Sequence, residues 1–183
     1  MPNYRRARVP GGIYFFTVVT HKRKHLFSDG YARQCLREAI SSVRIKYPFE
    51  IDAFCLLPDH LHAVWTPPEG DANYSKRWSA IKSLFSRRFR ELANRFEAPT
   101  DSRKTRGEQT FWQRRFWEHL IQNENDFRRH LDYIHFNPVK HGYVNSVSDW
   151  PWSSFHRYMN EGVYSNDWGG IYQGNIDLDY VCE

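Results

Sequence analysis

The run Ile13-Tyr14-Phe15-Phe16-Thr17-Val18-Val19-Thr20 constrains the fold of this chain more than any other stretch. It is β-branched and aromatic, and apolar at both sets of alternating positions. That pattern predicts a strand inside a sheet rather than at its edge. Pro10-Gly11-Gly12 supplies the turn that leads into it.

The partners of this strand follow in order along the chain. Ser28 and Asp29 are alternative N-caps for a helix in which Leu36, Ala39, Ile40, Val43 and Tyr47 recur at helical spacing and Pro48 ends the run. Ile51 to Leu57 predicts a second strand, Pro58-Asp59 a turn and His60 to Thr66 a third strand, which together make a hairpin. After the break at Pro67-Pro68-Glu69-Gly70, Trp78, Ile81, Phe85, Phe89, Leu92 and Phe96 form one apolar helical stripe. Ala98 to Thr110 reads as a loop, and a fourth strand falls within Phe111 to Ile121. A last helix, capped by Asn123 or Asn125, runs through His135 and turns Phe127, Leu131 and Ile134 to the core. The order strand, helix, strand, strand, helix, strand is the split βαβ of α+β, ferredoxin-like antiparallel sheets, here with one helix added at the C-terminal end.

A chain of 183 residues suits one domain with a real core, taken here as residues 1–158 followed by a tail, 159–183. Lys and Arg number 26 against 21 Asp and Glu, a net charge of +5, and Arg5, Arg6, Arg8, Lys22, Arg23 and Lys24 crowd the start. Clustered base beside aromatics marks a nucleic-acid surface as readily as an ordinary solvated face. Cys35, Cys55 and Cys182 have no CxxC spacing, which argues against a disulfide framework and a thiolate zinc site. No apolar run resembles a signal peptide or a membrane span, so the reading is a cytoplasmic protein with no membrane partner.

Two short motifs carry the chemistry. His60-Leu61-His62 places two imidazoles on one face of the third strand, since side chains at i and i+2 share a face. Buried side by side, they need a partner, water or a metal. Tyr133 and Asn137, four residues apart, share one face of the last helix with His130. Strand against helix would gather two nitrogens and an amide oxygen beside a phenol. An open N,N,O set without thiolate favours Mg²⁺ or Mn²⁺ held jointly with a substrate phosphate, over a closed zinc site. A phenol needs a nearby cation to become a good nucleophile at neutral pH. Pro138 disfavours a helical conformation at Asn137, which makes Asn137 the least secure ligand.

With Tyr133, the His60-Leu61-His62 signature resembles the one-tyrosine transposase branch of the HUH endonucleases. Several further segments resemble the REP-associated tyrosine transposases in particular. They are Tyr4-Arg5-Arg6, Gly12-Ile13-Tyr14-Phe15-Phe16-Thr17, Phe111-Trp112-Gln113-Arg114-Arg115-Phe116-Trp117-Glu118-His119, Tyr133 through Gly142, and Trp150-Pro151-Trp152-Ser153-Ser154-Phe155. One departure is Glu118, where the family often carries Asp. The resemblance implies a metal-dependent enzyme that nicks and rejoins single-stranded DNA at hairpin repeats, with the DNA lying across the sheet. Tyr133 would be the nucleophile and His60, His62 and Asn137 the metal ligands. His119, His130 and Lys140 would support the ligands or the phosphate. Arg5, Arg6, Arg8, Arg114 and Arg115 would contact DNA, and Trp112 or Trp117 would stack a base. No small-molecule cofactor is implied, and a homodimer is among the assemblies allowed. Two rival readings stand at this point: a non-catalytic single-stranded nucleic-acid module on the same fold, and a protein whose histidines hold a purely structural metal.

Overall fold

A computed structural model of the protein describes residues 6–90 and 111–170. Among these residues four strands form one antiparallel sheet: β1 (Tyr14–Val19), β2 (Glu50–Leu56), β3 (His60–Thr66) and β4 (Trp117–Leu120), in the order β2-β3-β1-β4. The apolar run thus lies between β3 and β4, with Tyr14 opposite Trp65 on one side and Leu120 on the other. Among the described residues, four α-helices accompany the sheet: α1 (Gly30–Lys46), α2 (Tyr74–Phe89), α3 (Glu124–Lys140) and α4 (Phe155–Asn160).

The pleat of β1 feeds two cores. Tyr14, Phe16 and Val18 join Leu61, Ala63 and Trp65 beneath α1 and α2. Phe15 joins Ala53, Cys55 and Val64 beneath α3, where Leu131, Tyr133 and Ile134 meet them. Both faces of the sheet are therefore covered, which corrects the expectation that DNA lies across it: Phe15, Ala53 and Val64 have no exposed area. The first core is centred on Trp65 and Trp78, stacked with centroids 4.0 Å apart. Trp78→Ala should cost about 3–5 kcal/mol, the range for truncating a large buried aromatic, read as a lower midpoint in urea denaturation.

Local signals explain most of the boundaries. Asp29, not Ser28, caps α1 by accepting from the Ala32 amide at 3.0 Å. Asn123 caps α3 through the Asp126 amide, also at 3.0 Å. Leu92, Phe96 and the expected loop at 98–110 lie outside the described residues. The clear departure is the end of α3, which continues past His135 and through Pro138 to Lys140. Pro138 removes the N–H that would bond to the Ile134 carbonyl and crowds that carbonyl, yet Asn137 keeps its helical register with Tyr133. Gly142, at φ +71°, ends the helix and donates to the Val139 carbonyl at 2.9 Å.

Beyond α3 the chain returns to the outer edge of β2. The Leu56 amide bonds the Trp152 carbonyl at 2.9 Å, and the Ser154 amide bonds that of Phe54 at 2.8 Å. The packed body extends past residue 158: Tyr164 donates to Asp132 Oδ1 at 2.7 Å, and its ring lies 4.3 Å from that of Trp168. Residues 171–183 lie outside the described part. Among the described residues no helix is long and apolar enough to cross a membrane.

Candidate active site

The β3 pleat turns His60 and His62 toward α3, with their ring centroids 4.9 Å apart. Each ring is anchored through Nδ1. His60 Nδ1 lies 2.6 Å from Asp59 Oδ1, and His62 Nδ1 lies 2.9 Å from Thr17 Oγ1. In the tautomer that donates Nδ1–H to these oxygens, both Nε2 atoms carry lone pairs directed away from the anchors, the state a metal ligand requires. Arg23 braces Asp59 at 3.2 Å. Burial pushes the Asp59 carboxyl up, but the hydrogen bonds from His60 and Arg23, with the Arg23 charge, outweigh it and lower its pKa to about 2.

Helix α3 brings the other half of the site. The Tyr133 ring lies 5.2 Å from His62 and 6.0 Å from Phe15, and the Lys140 ammonium lies 4.9 Å from the Tyr133 ring centroid. One turn after Tyr133, Asn137 donates weakly from Nδ2 to its carbonyl at 3.5 Å, which leaves the amide oxygen free. His60, His62, Tyr133 and Asn137 are each at most 1% exposed. Among the described residues, His60 Nε2, His62 Nε2 and Asn137 Oδ1 are buried without a hydrogen-bond partner. Three such atoms would be costly unless they served a ligand. Two neutral nitrogens and an oxygen with open positions fit a divalent cation. Burial holds the His62 pKa well below its usual value, with His60, His141 and Lys140 adding to the effect and the Asn137 amide opposing it. His62 is therefore neutral, as ligation demands.

The remaining residues expected at the site separate into groups. His119 and His130 meet Asp126 rather than the β3 histidines: His119 Nε2 lies 2.9 Å from Asp126 Oδ2, and His130 Nδ1 lies 3.0 Å from Oδ1. Their rings stack 4.7 Å apart, and Phe15 stands between His130 and His62, at 4.7 and 5.6 Å. The donor atoms of this trio fall within 4.8 Å of one another, a spacing a metal could use. His119 is bonded to Asp126 Oδ2 and His130 Nδ1 to the Asp126 backbone carbonyl at 2.9 Å, while Asp126 Oδ1, like the atoms on β3 and Asn137, is buried without a hydrogen-bond partner. Trp112 is buried between Phe27 and Phe85, at 5.7 and 5.0 Å, and has no face for a base, because its segment bridges to Thr20 and enters the first core. Trp117 is half-buried against Phe15. Arg6 is committed within the fold, with its guanidinium 3.9 Å from the Phe116 ring and its Nε 3.9 Å from Glu118, on the α2 side of the sheet. Arg8, Arg114 and Arg115 are exposed, and Arg5 lies outside the described residues.

Sequence reasoning missed Asp59, Thr17, His141 and Asp126. An acid beside a histidine, or four residues before one on a helix, was a readable signal for Asp59 and Asp126. Thr17 had none, because it faces His62 only through the β1–β3 register. The expected effect of Asp59→Ala is roughly a 10–100-fold loss of Mn²⁺ affinity, the usual consequence of removing a group that orients a ligating histidine. Calorimetric titration reads it, with circular dichroism confirming the fold.

A ferredoxin-like sheet presenting a paired histidine motif to a helix-borne tyrosine defines a single-tyrosine nuclease of the HUH type. The sequence model of the family described as "Transposase IS200 like" matches residues 9–137. The chain is 45% identical over 170 residues to a putative REP-associated tyrosine transposase of Haemophilus influenzae, covering 93% of this chain and 94% of that one. It is also 45% identical over 171 residues to the REP-associated tyrosine transposase of Escherichia coli K12, covering 93% and 92%. A solved structure of a REP-associated tyrosine transposase bound to a REP hairpin superposes with a TM-score of 0.76 at 41% identity over the full length of both chains. The chain belongs to the IS200-like transposase family.

Proposed function

We propose that this transposase cleaves and rejoins single-stranded DNA beside hairpin repeats, in the cytoplasm, through a covalent bond to Tyr133. The observation that carries this reading is the set of three unpartnered buried donor atoms on His60, His62 and Asn137, gathered beside the Tyr133 ring. The DNA class is carried over from the relative bound to a REP hairpin.

His60 Nε2, His62 Nε2 and Asn137 Oδ1 would hold Mg²⁺ or Mn²⁺, which supplies charge stabilisation and orientation to the scissile phosphate. The Tyr133 hydroxyl attacks phosphorus in line. The Tyr–O–P bond forms as the P–O3′ bond breaks, the phenol proton is lost to solvent, and the departing 3′-oxygen takes up a proton. The Lys140 ammonium, 4.9 Å from the ring centroid, is near enough to offset negative charge that develops on the phosphate during attack. Attack by another 3′-OH reverses the step and reseals the strand, so the bond energy is conserved without a nucleotide cofactor.

Incubation of the protein with a REP hairpin carrying single-stranded flanks tests the reading. Cleavage in Mg²⁺ or Mn²⁺ and none in EDTA is expected. DNA binding without cleavage in either metal would favour a non-catalytic module instead.

A further inference from the structure

A basic groove of about 400 Å³ lies on the far side of β2 from β3, between α1 and the segment that pairs with the β2 edge. Arg33, Arg37 and Arg44 line it over a floor that includes Ile40, Phe54 and Trp152. The three arginines recur at helical spacing and form one stripe along α1. Arg33 is held in place by donating to the Phe27 and Ser28 carbonyls, at 2.7 and 3.0 Å, while its guanidinium lies 4.2 Å from the Trp152 ring centroid. Arg44 donates to the Phe49 carbonyl at 3.1 Å, and its charge is only loosely met by Glu50 at 3.7 Å. Arg37 is exposed and has no partner among the described residues.

The groove is joined to the active site by an unbroken row of rings. His60 lies 5.3 Å from His141, and His141 lies 6.0 Å from Tyr143. Tyr143 stacks on Trp150 at 5.6 Å, and Trp150 meets Trp152 edge-on at 4.9 Å. Trp150 is pinned by its indole N–H, which donates to the Leu56 carbonyl at 3.0 Å. Tyr143 is 37% exposed, so a platform stands open at the mouth of the site. Neither feature contributes to the proposed chemistry. Tyr143 and the half-buried Trp152 offer ring surface, with the buried Trp150 between them, and Arg37 offers an unpaired charge; rings for bases and cations for phosphates are the combination that holds a single strand.

We infer that this track, from Tyr143 past Trp152 to Arg33, Arg37 and Arg44, binds the single-stranded DNA that flanks the hairpin, leading it around the β2 edge to α1. The inference rests on the proposed function, since it assigns a surface to one part of that substrate. It makes recognition bipartite: the hairpin is held elsewhere, and the flank is held on this track and thereby drawn across the histidine pair.

The test compares wild type, Arg37→Glu and Tyr143→Ala by fluorescence anisotropy, using a REP hairpin with an oligothymidine flank and the same hairpin without one. Tyr143→Ala should weaken binding of the flanked probe by about fivefold or more, the low end for loss of one stacked base. Arg37→Glu should make the salt dependence on that probe shallower by about 0.7 in log–log slope, the share of one phosphate on a single strand. The unflanked hairpin should bind all three proteins alike. Arg37 is exposed and unpartnered, so that variant retains the wild-type melting temperature and keeps the test valid even if Tyr143→Ala is destabilised. Equal losses on both probes would assign the surface to the hairpin stem and overturn the inference. So would unchanged binding of the flanked probe by both variants. In either case, wild-type cleavage of the flanked hairpin would leave the proposed function standing.

Discussion

Tyr133→Phe protein should bind hairpin DNA within a few-fold of wild type and leave it uncut. Cleavage should fall by about 10⁴-fold or more, the scale on which loss of a covalent nucleophile acts. The substitution removes one oxygen and leaves the ring, which packs 6.0 Å from Phe15 and 5.2 Å from His62, so the second core should persist. The contacts that hold DNA elsewhere are untouched, so binding and chemistry separate cleanly. Timed cleavage assays at saturating protein read the rate, and anisotropy reads the affinity. Normal cleavage by the phenylalanine variant would remove Tyr133 from the mechanism and direct attention to the exposed phenol of Tyr143.

His62→Ala should have the second-largest effect, a loss of about 100-fold or more in activity. A ligating group should matter more than the groups that merely orient it, whose removal costs 10–100-fold. The residue is fully buried and bonded to Thr17, so its truncation also leaves a cavity and some destabilisation. Metal titration separates the two contributions. If the histidine ligates, Mn²⁺ affinity falls with activity, and a large excess of Mn²⁺ restores part of the rate. If it serves only packing, the lost rate follows the unfolded fraction and metal restores nothing. A parallel measurement disposes of the structural-metal reading. Wild type in EDTA should keep nearly all of its melting temperature while losing cleavage, because an open catalytic site contributes less to folding than a closed structural one.

Much of this architecture was legible in the chain because the signals were local. The apolar alternation of Ile13 to Thr20, the i, i+3, i+4 stripe of α1 and the i, i+2 pairing of His60 and His62 need only neighbouring residues to interpret. What escaped depends on contacts between distant segments. Thr17 faces His62 because β1 and β3 pair in one particular register. Arg6 belongs to a basic cluster that reads as a DNA surface, yet it packs on Phe116 near Glu118. The aromatic run around Trp112 fits no single period because it serves two purposes, plugging the first core before β4 begins. Pro138 misled for a different reason. A proline inside a helix costs about 3 kcal/mol or more, yet α3 carries Pro138 in its last turn, and its continuation keeps Asn137 aligned with Tyr133. The covering of both sheet faces has the largest consequence for function, because among the described residues it leaves no open sheet face for DNA to lie on.

The most direct test of the central claim is to trap the covalent intermediate and locate it. Wild-type protein incubated with flanked REP hairpin and Mn²⁺, digested with protease and nuclease and analysed by mass spectrometry, should yield a nucleotide-modified peptide with the phosphodiester on Tyr133. EDTA should abolish it. A modified peptide on another residue, or cleaved DNA with no protein adduct at any time point, would contradict the account.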